Sequence, residues 1–131
     1  MSDESKCDNG HSVTSAEVDL SIDNNGTWSD AFQFGDTGDL TWNLIGCSFE
    51  CDVKRNRYDA NPLLSLNSGA GQILVDDPTQ RVIHFDVAPA AIQTALQPGI
   101  YVYDLIMTDA NSIITPLMHG QLEVTQGVTQ S

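Results

Sequence analysis

The side chains best equipped for chemistry in this chain are three histidines, His11, His84 and His119, and three cysteines, Cys7, Cys47 and Cys51. Nucleophilic catalysis needs a nucleophile, a base and an orienting group held together. His11 lies in a polar N-terminal arm, and His84 and His119 fall on outward faces of different predicted strands, so no triad is expected. Cys7-x-x-x-His11 with Cys47-x-x-x-Cys51 makes four soft ligands on paper. On one strand, however, Cys47 and Cys51 stand about 13 Å apart, at roughly 3.3 Å per residue. That is too far to share a zinc ion with bonds of about 2.3 Å, or to form a disulfide, whose Cα atoms lie within about 7 Å. The turns Asp23-Asn24-Asn25-Gly26, Asp36 to Asp39 and Asp76-Asp77 carry the oxygens calcium takes, yet Asp and Asn favour turns for backbone reasons alone. No glycine-containing turn has the spacing of a phosphate-binding loop. The sequence therefore predicts no catalytic residue, no metal and no cofactor.

Charge narrows the partners. The chain has 131 residues with 18 acidic and 5 basic side chains, a net charge of −13. A phosphate backbone would be repelled, because nucleic-acid binding rests on clustered Lys and Arg releasing counterions. Such acidity serves solubility and favours docking onto a basic protein partner. No apolar run reaches the roughly 18 residues of a membrane helix. The opening Met1-Ser2-Asp3-Glu4-Ser5-Lys6 is polar and acidic where a secretion signal is basic and then apolar. Three cysteines cannot all pair within one chain, so reduced thiols and folding in a cytoplasm are expected.

The elements that must position these groups are strands. Residues 1–12 read as an arm, 13–125 as one β-sandwich domain and 126–131 as a tail. The organising stretch is Leu96 to Asp109: Pro98-Gly99 is a turn, and the following run Ile100-Tyr101-Val102-Tyr103-Asp104-Leu105-Ile106-Met107 is apolar on both faces, as a central strand requires. Ala16 to Ile22 alternates with Val18, Leu20 and Ile22 on one face, and with Thr27 to Phe34 after the Asn-Gly turn it predicts a hairpin. Cys47 to Lys54 alternates strictly, placing Cys47, Phe49, Cys51 and Val53 inward. Pro62 to Leu66 suits an edge strand, Gln72 to Val75 a fragment, and Arg81 to Val87 a strand with Ile83, Phe85 and Val87 inward. Pro89 to Leu96 is the one helical candidate, with proline at its first turn. Asp109 to Ser112 turns into Ile113 to Val124, where Ile114, Met118, Leu122 and Val124 share one face and Leu117, His119, Gln121 and Glu123 the other. About seven or eight short strands and one short helical turn predict an all-β fold, an immunoglobulin-like antiparallel β-sandwich.

Pro98-Gly99-Ile100-Tyr101-Val102-Tyr103 resembles the penultimate strand of immunoglobulin-like domains, in which a glycine turn precedes a corner-capping tyrosine; Tyr101 matches it, and Tyr103 stands where antibody domains have cysteine. A wider pattern covers Thr27 to Val124: Gly26-Thr27-Trp28, Asp39-Leu40-Thr41, Ser48-Phe49-Glu50-Cys51-Asp52-Val53-Lys54, Leu96-Gln97-Pro98-Gly99-Ile100-Tyr101-Val102-Tyr103-Asp104-Leu105 and Gly120-Gln121-Leu122-Glu123-Val124-Thr125. It is similar to small immunoglobulin-like structural proteins of tailed bacteriophages, relatives of the N-terminal domain of a lactococcal phage upper baseplate protein. Trp42-Asn43-Leu44-Ile45 departs from the family's usual short turn.

The resemblance implies a non-enzymatic virion component, an adaptor in the tail, baseplate or fibre-attachment region, made in a host cytoplasm, self-associating in a symmetric assembly and contacting other virion proteins. Head decoration and carbohydrate or receptor binding, the latter through Trp28, Trp42 and Tyr58, are the alternatives. Trp42, Val82 and Leu117 are the candidate interface residues.

Overall fold

Strand β8, Gly99–Thr108, has the alternation expected of it: Tyr101, Tyr103, Leu105 and Met107 are buried, while Ile100, Val102, Asp104 and Ile106 face the other way. The computed structural model describes residues 15–35 and 42–127. The predicted arm and tail, apart from residues 126 and 127, and the turn from Asp36 to Asp39 lie outside them. Around β8 are β1 (Ala16–Glu17), β2 (Leu20–Asp23), β3 (Ala31–Gln33), β4 (Ser48–Lys54), β5 (Leu64–Asn67), β6 (Ile73–Asp77), β7 (Val82–Phe85) and β9 (Ile114–Thr125), with one helix, α1 (Pro89–Ala95). They form an immunoglobulin-like β-sandwich of a six-stranded and a three-stranded sheet. The large sheet runs β1-β9-β8-β4-β5 with β2 also on β9, and the small one runs β3-β7-β6.

Two pairings differ from the sequence-based expectation. The first strand breaks at Val18 and Asp19 into β1 and β2, and both pair with β9 in parallel. Strand β3 pairs with β7 in the other sheet, so the Asn-Gly turn is an arch between layers and not a hairpin. A turn signal reports reversal of the chain; which sheet the returning strand joins depends on where its apolar face finds partners. Trp28 stacks on Phe85 at 4.5 Å between ring centroids, and Phe32 meets the same ring edge-on at 5.8 Å. Those contacts draw β3 onto the small sheet.

Each crossover is held by a polar group reaching backbone. Helix α1 leads from β7 to β8, and the Tyr101 hydroxyl donates to the carbonyl of Gln97 at 2.6 Å, the corner bond of Greek-key sandwiches. The Gln93 amide donates to Asn24 O at 2.6 Å, tying the helix to the arch. At the opposite crossover Arg81 is fully buried. Its Nε donates to Phe34 O at 2.7 Å and its Nη1 to Trp42 O and Thr79 O at 3.1 and 2.9 Å, and its guanidinium lies 5.1 Å from the Trp42 ring centroid.

Two of the candidate interface residues are core. Trp42 is 3% exposed, held under Arg81, and Leu117 is 1% exposed. Strict alternation puts Leu117 outward, but the β8–β9 register shifts there: Leu105 faces Met118 and Ile106 faces Pro116. The extra residue lets Leu117 and Met118 both point inward, as a bulge does. Val82 is half-buried on β7, with His84 two residues on along the same face.

Gly120 sits where the link between β1 and β2 runs alongside β9; a Cβ there would lie 2.3 Å from the Val18 carbonyl oxygen. Tyr103, its cross-strand partner, donates to that same oxygen at 2.5 Å. Gly120→Ala is expected to cost about 2 kcal/mol or more through forced backbone displacement. Tyr101→Phe, which removes one buried hydrogen bond and nothing else, is expected to cost about 1 kcal/mol. Urea denaturation with an unchanged m-value checks both.

Candidate binding face on the six-stranded sheet

The inner face of the large sheet packs on the small one, and among the described residues no element covers its outer face. Because neighbouring strands are in register, the outward residues form rows across them. One row reads Ser65, Asp52, Asp104, His119 and Glu17, on β5, β4, β8, β9 and β1 in turn. The next row toward the β8–β9 turn reads Asn67, Glu50, Ile106 and Pro116. On the other side stand Lys54, Val102 and Gln121. Apolar side chains end the face, Ile100 at 59% exposure and Ile114 at 60%. In the middle is a hollow of about 440 Å³ lined by Glu17, Asp52, Lys54, Arg57, Asp104 and His119 among others.

Asp52 and Asp104 are directly opposite on antiparallel strands, an arrangement that like charges disfavour. Partial burial first, and the Asp52 charge second, push the Asp104 carboxyl above its ordinary range, while Lys54 and His119 pull the other way. Glu50 is raised by the Asp52 charge and then by burial. The Ser65 hydroxyl donates to Asp52 Oδ1 at 2.7 Å and leaves the repulsion standing.

Alternation places His119 on an outward face; in the structure its Nδ1 lies 2.7 Å from Ser15 Oγ, and Asp104 faces it from β8. A hydroxyl, an imidazole and a carboxylate are therefore neighbours. Acyl transfer further needs donors aimed at a developing oxyanion, and the nearby amides are already engaged: the Gln121 N–H donates to Asp19 Oδ1 at 3.0 Å and the Val18 N–H to His119 O at 2.8 Å. The signal for this cluster was the pairing of β1 with β9, which alternation within one strand cannot reveal. His84 is elsewhere, its Nδ1 2.7 Å from Asp76 Oδ1 on the small sheet.

The cysteines depart from the reduced set expected. Among the described residues Cys47 is disulfide-bonded and Cys51 is free and buried. Cys47, just before β4, is half-buried and packs against the core, as its phase implies. Burial pushes the Cys51 thiol far up, aided by Asp104 and Asp52, which leaves it unreactive. Pro98 and Gly99 form the turn into β8, where Tyr101 and Tyr103 point inward; Cys7 and His11 lie outside the described residues. Groups of three or more His, Cys, Asp or Glu placed to hold a metal are absent among the described residues.

No family model matches the chain, and no curated protein sequence does. Among solved structures it is similar to CopC from Methylosinus trichosporium OB3b, with a TM-score of 0.42 and 10% identity over 89% of each chain. It is also similar to the PKD domain from KIAA 1837 protein, at 0.33 and 12% over 95% of this chain and 97% of that one. Murine CRIg gives 0.35 and 10% over 83% and 92%. Such scores carry no inference about ligands or partners.

The raised carboxylates define a pH dependence. A carboxyl whose folded pKa exceeds its unfolded one, ordinarily 3.8 for Asp and 4.5 for Glu, binds protons more readily in the folded state. Its destabilising effect is therefore full at neutral pH and disappears as pH falls through the folded value. Asp104→Asn is expected to stabilise the neutral protein by about 0.5 kcal/mol, the scale of a cross-strand like-charge pair. Calorimetry from pH 7 to pH 4 should show the variant's advantage shrinking as the pH drops.

Proposed function

We propose that the chain is a non-enzymatic structural adaptor of a tailed-phage virion, a sandwich module that joins its neighbours through an open sheet face. The observation that carries this reading is the outer face of the large sheet, wide and uncovered among the described residues, with large apolar residues at both ends. An uncovered sheet face of this size offers the area that a protein contact needs. The virion assignment rests on the resemblance, whose most recognisable segment, Leu96 to Leu105, forms the Tyr101 corner and the first half of β8. Much of that segment serves the fold, so the resemblance supports the module more than its position in a particle. The disulfide at Cys47 suits a particle that meets an oxidising medium after release.

For carbohydrate binding, Trp28 and Trp42 would have to be accessible platforms, and both are in the core; Tyr58 alone of the three is exposed, at 90%. The adaptor reading predicts that light scattering of the purified chain, mixed with tail, baseplate or head proteins of a phage, gives a species heavier than the 14.2 kDa monomer. A monomer that ignores virion proteins and binds glycans on an array would overturn it.

A further inference from the structure

We infer that the outer face of the six-stranded sheet is a docking site for a basic segment of a partner protein, one presenting an Arg or Lys side chain between flanking apolar residues. The inference rests on the adaptor reading and names the chemistry of its partner. The occupant follows from charge and shape together. Asp52 and Asp104 face each other across β4 and β8 at the hollow, and Glu50 adjoins them one row along. Lys54, Arg57 and His119 share the lining of the hollow with Glu17, Asp52 and Asp104; Lys54 and His119 offset the repulsion at Asp104 only in part, and its carboxyl stays raised. A guanidinium or ammonium seated between Asp52 and Asp104 would convert it into attraction, and the hollow of about 440 Å³ has room for one such side chain.

Ile106, Pro116 and Ile114 on one side and Val102 and Ile100 on the other supply apolar contact in line with the strands. The complementary ligand thus alternates basic and apolar groups on one face, as an extended strand or an amphipathic helix does. A second copy docking through the same face is disfavoured, since a two-fold contact sets each copy's carboxylate row against the other's, and each chain carries a net −13.

The test is a titration of the full chain, labelled with nitrogen-15, with three acetylated ten-residue peptides alternating leucine with arginine, glutamine or glutamate. The arginine peptide should bind, shift the amides of Asp52, Asp104 and Ile106, and weaken as salt is raised. Asp52→Asn and Asp104→Asn should each weaken it about fivefold, the upper scale of an exposed ion pair. Both substitutions remove a repulsion, so the fold is retained. Asp104→Lys should turn the preference toward the glutamate peptide. Equal binding of all three peptides, shifts confined to Asp76, Asp77 or the small sheet, or affinity unchanged by both Asn variants would overturn the inference. Light scattering with virion proteins separates the two readings. Assembly without peptide binding on this face sinks the docking site and leaves the adaptor, whereas peptide binding without assembly does the reverse.

Discussion

A buried guanidinium holds one end of this sandwich. Arg81 stands immediately before β7 with no exposed surface, in a left-handed conformation at φ 61°. It donates to carbonyls from three separate stretches, at Phe34, Trp42 and Thr79, and lies over the Trp42 ring. Arginine keeps its charge at any accessible pH, so removing it from water is costly unless its donors are met. Here they are met by backbone oxygens that the exit from β3 and the approach to β4 would otherwise leave inside. The stretch after β3 and the stretch before β4 belong to different sheets, and this one side chain joins them. Gly35 permits the approach: a Cβ there would be 3.3 Å from Arg81 Nε.

The opposite end depends on a milder bond of the same kind. The Tyr101 hydroxyl reaches back four residues to Gln97 and closes the crossover from α1 into β8, with Arg55 over its ring at 5.2 Å. Between these two ends, β8 is flanked by β4 and β9, and its inner residues meet the small sheet. Tyr103 belongs to this scheme as well. Its hydroxyl passes Gly120 to reach Val18, which holds β1 and β2 beside β9 although they are separated from it by most of the chain. Three polar side chains thus decide how apolar strands, each able to pack in several ways, are joined.

The outer face follows a different logic. Inner positions of the large sheet along β4 and β8 are hydrophobic apart from the two tyrosine hydroxyls, and the stability of the fold comes from there. The outer positions are free of that demand, yet they hold Asp52, Asp104 and Glu50 close enough to raise two of the three. A surface selected only for solubility would spread its negative charge. Concentrating it beside Ile106 and Val102 weakens the free chain slightly and prepares a face for a cation. Burial keeps the Cys51 thiol beneath them protonated, and the same carboxylates add to that effect, so the charged layer and the inert core are linked through the thickness of one strand.

Much of this was legible in the residues. Alternation placed Phe49, Cys51, Val53, Ile83, Phe85 and the four inner side chains of β8 correctly, because period two is a local property of an extended chain with one face in a core. Pro98-Gly99 and Pro89 marked the turn and the helix, because proline fixes φ and glycine accepts angles closed to other residues, and Tyr101 carried the corner through its hydroxyl. What the tertiary structure alone decided was relational. The bulge that turned Leu117 inward depends on the register of β8; the arch that sent β3 to the other sheet depends on Phe85; the burial of Trp42 depends on Arg81; and the meeting of Asp52, Asp104, His119 and Ser15 depends on four strands lying side by side. Cross-strand neighbours are set by distant apolar faces finding one another, a choice made by packing between residues up to 104 positions apart, which no short stretch of sequence encodes.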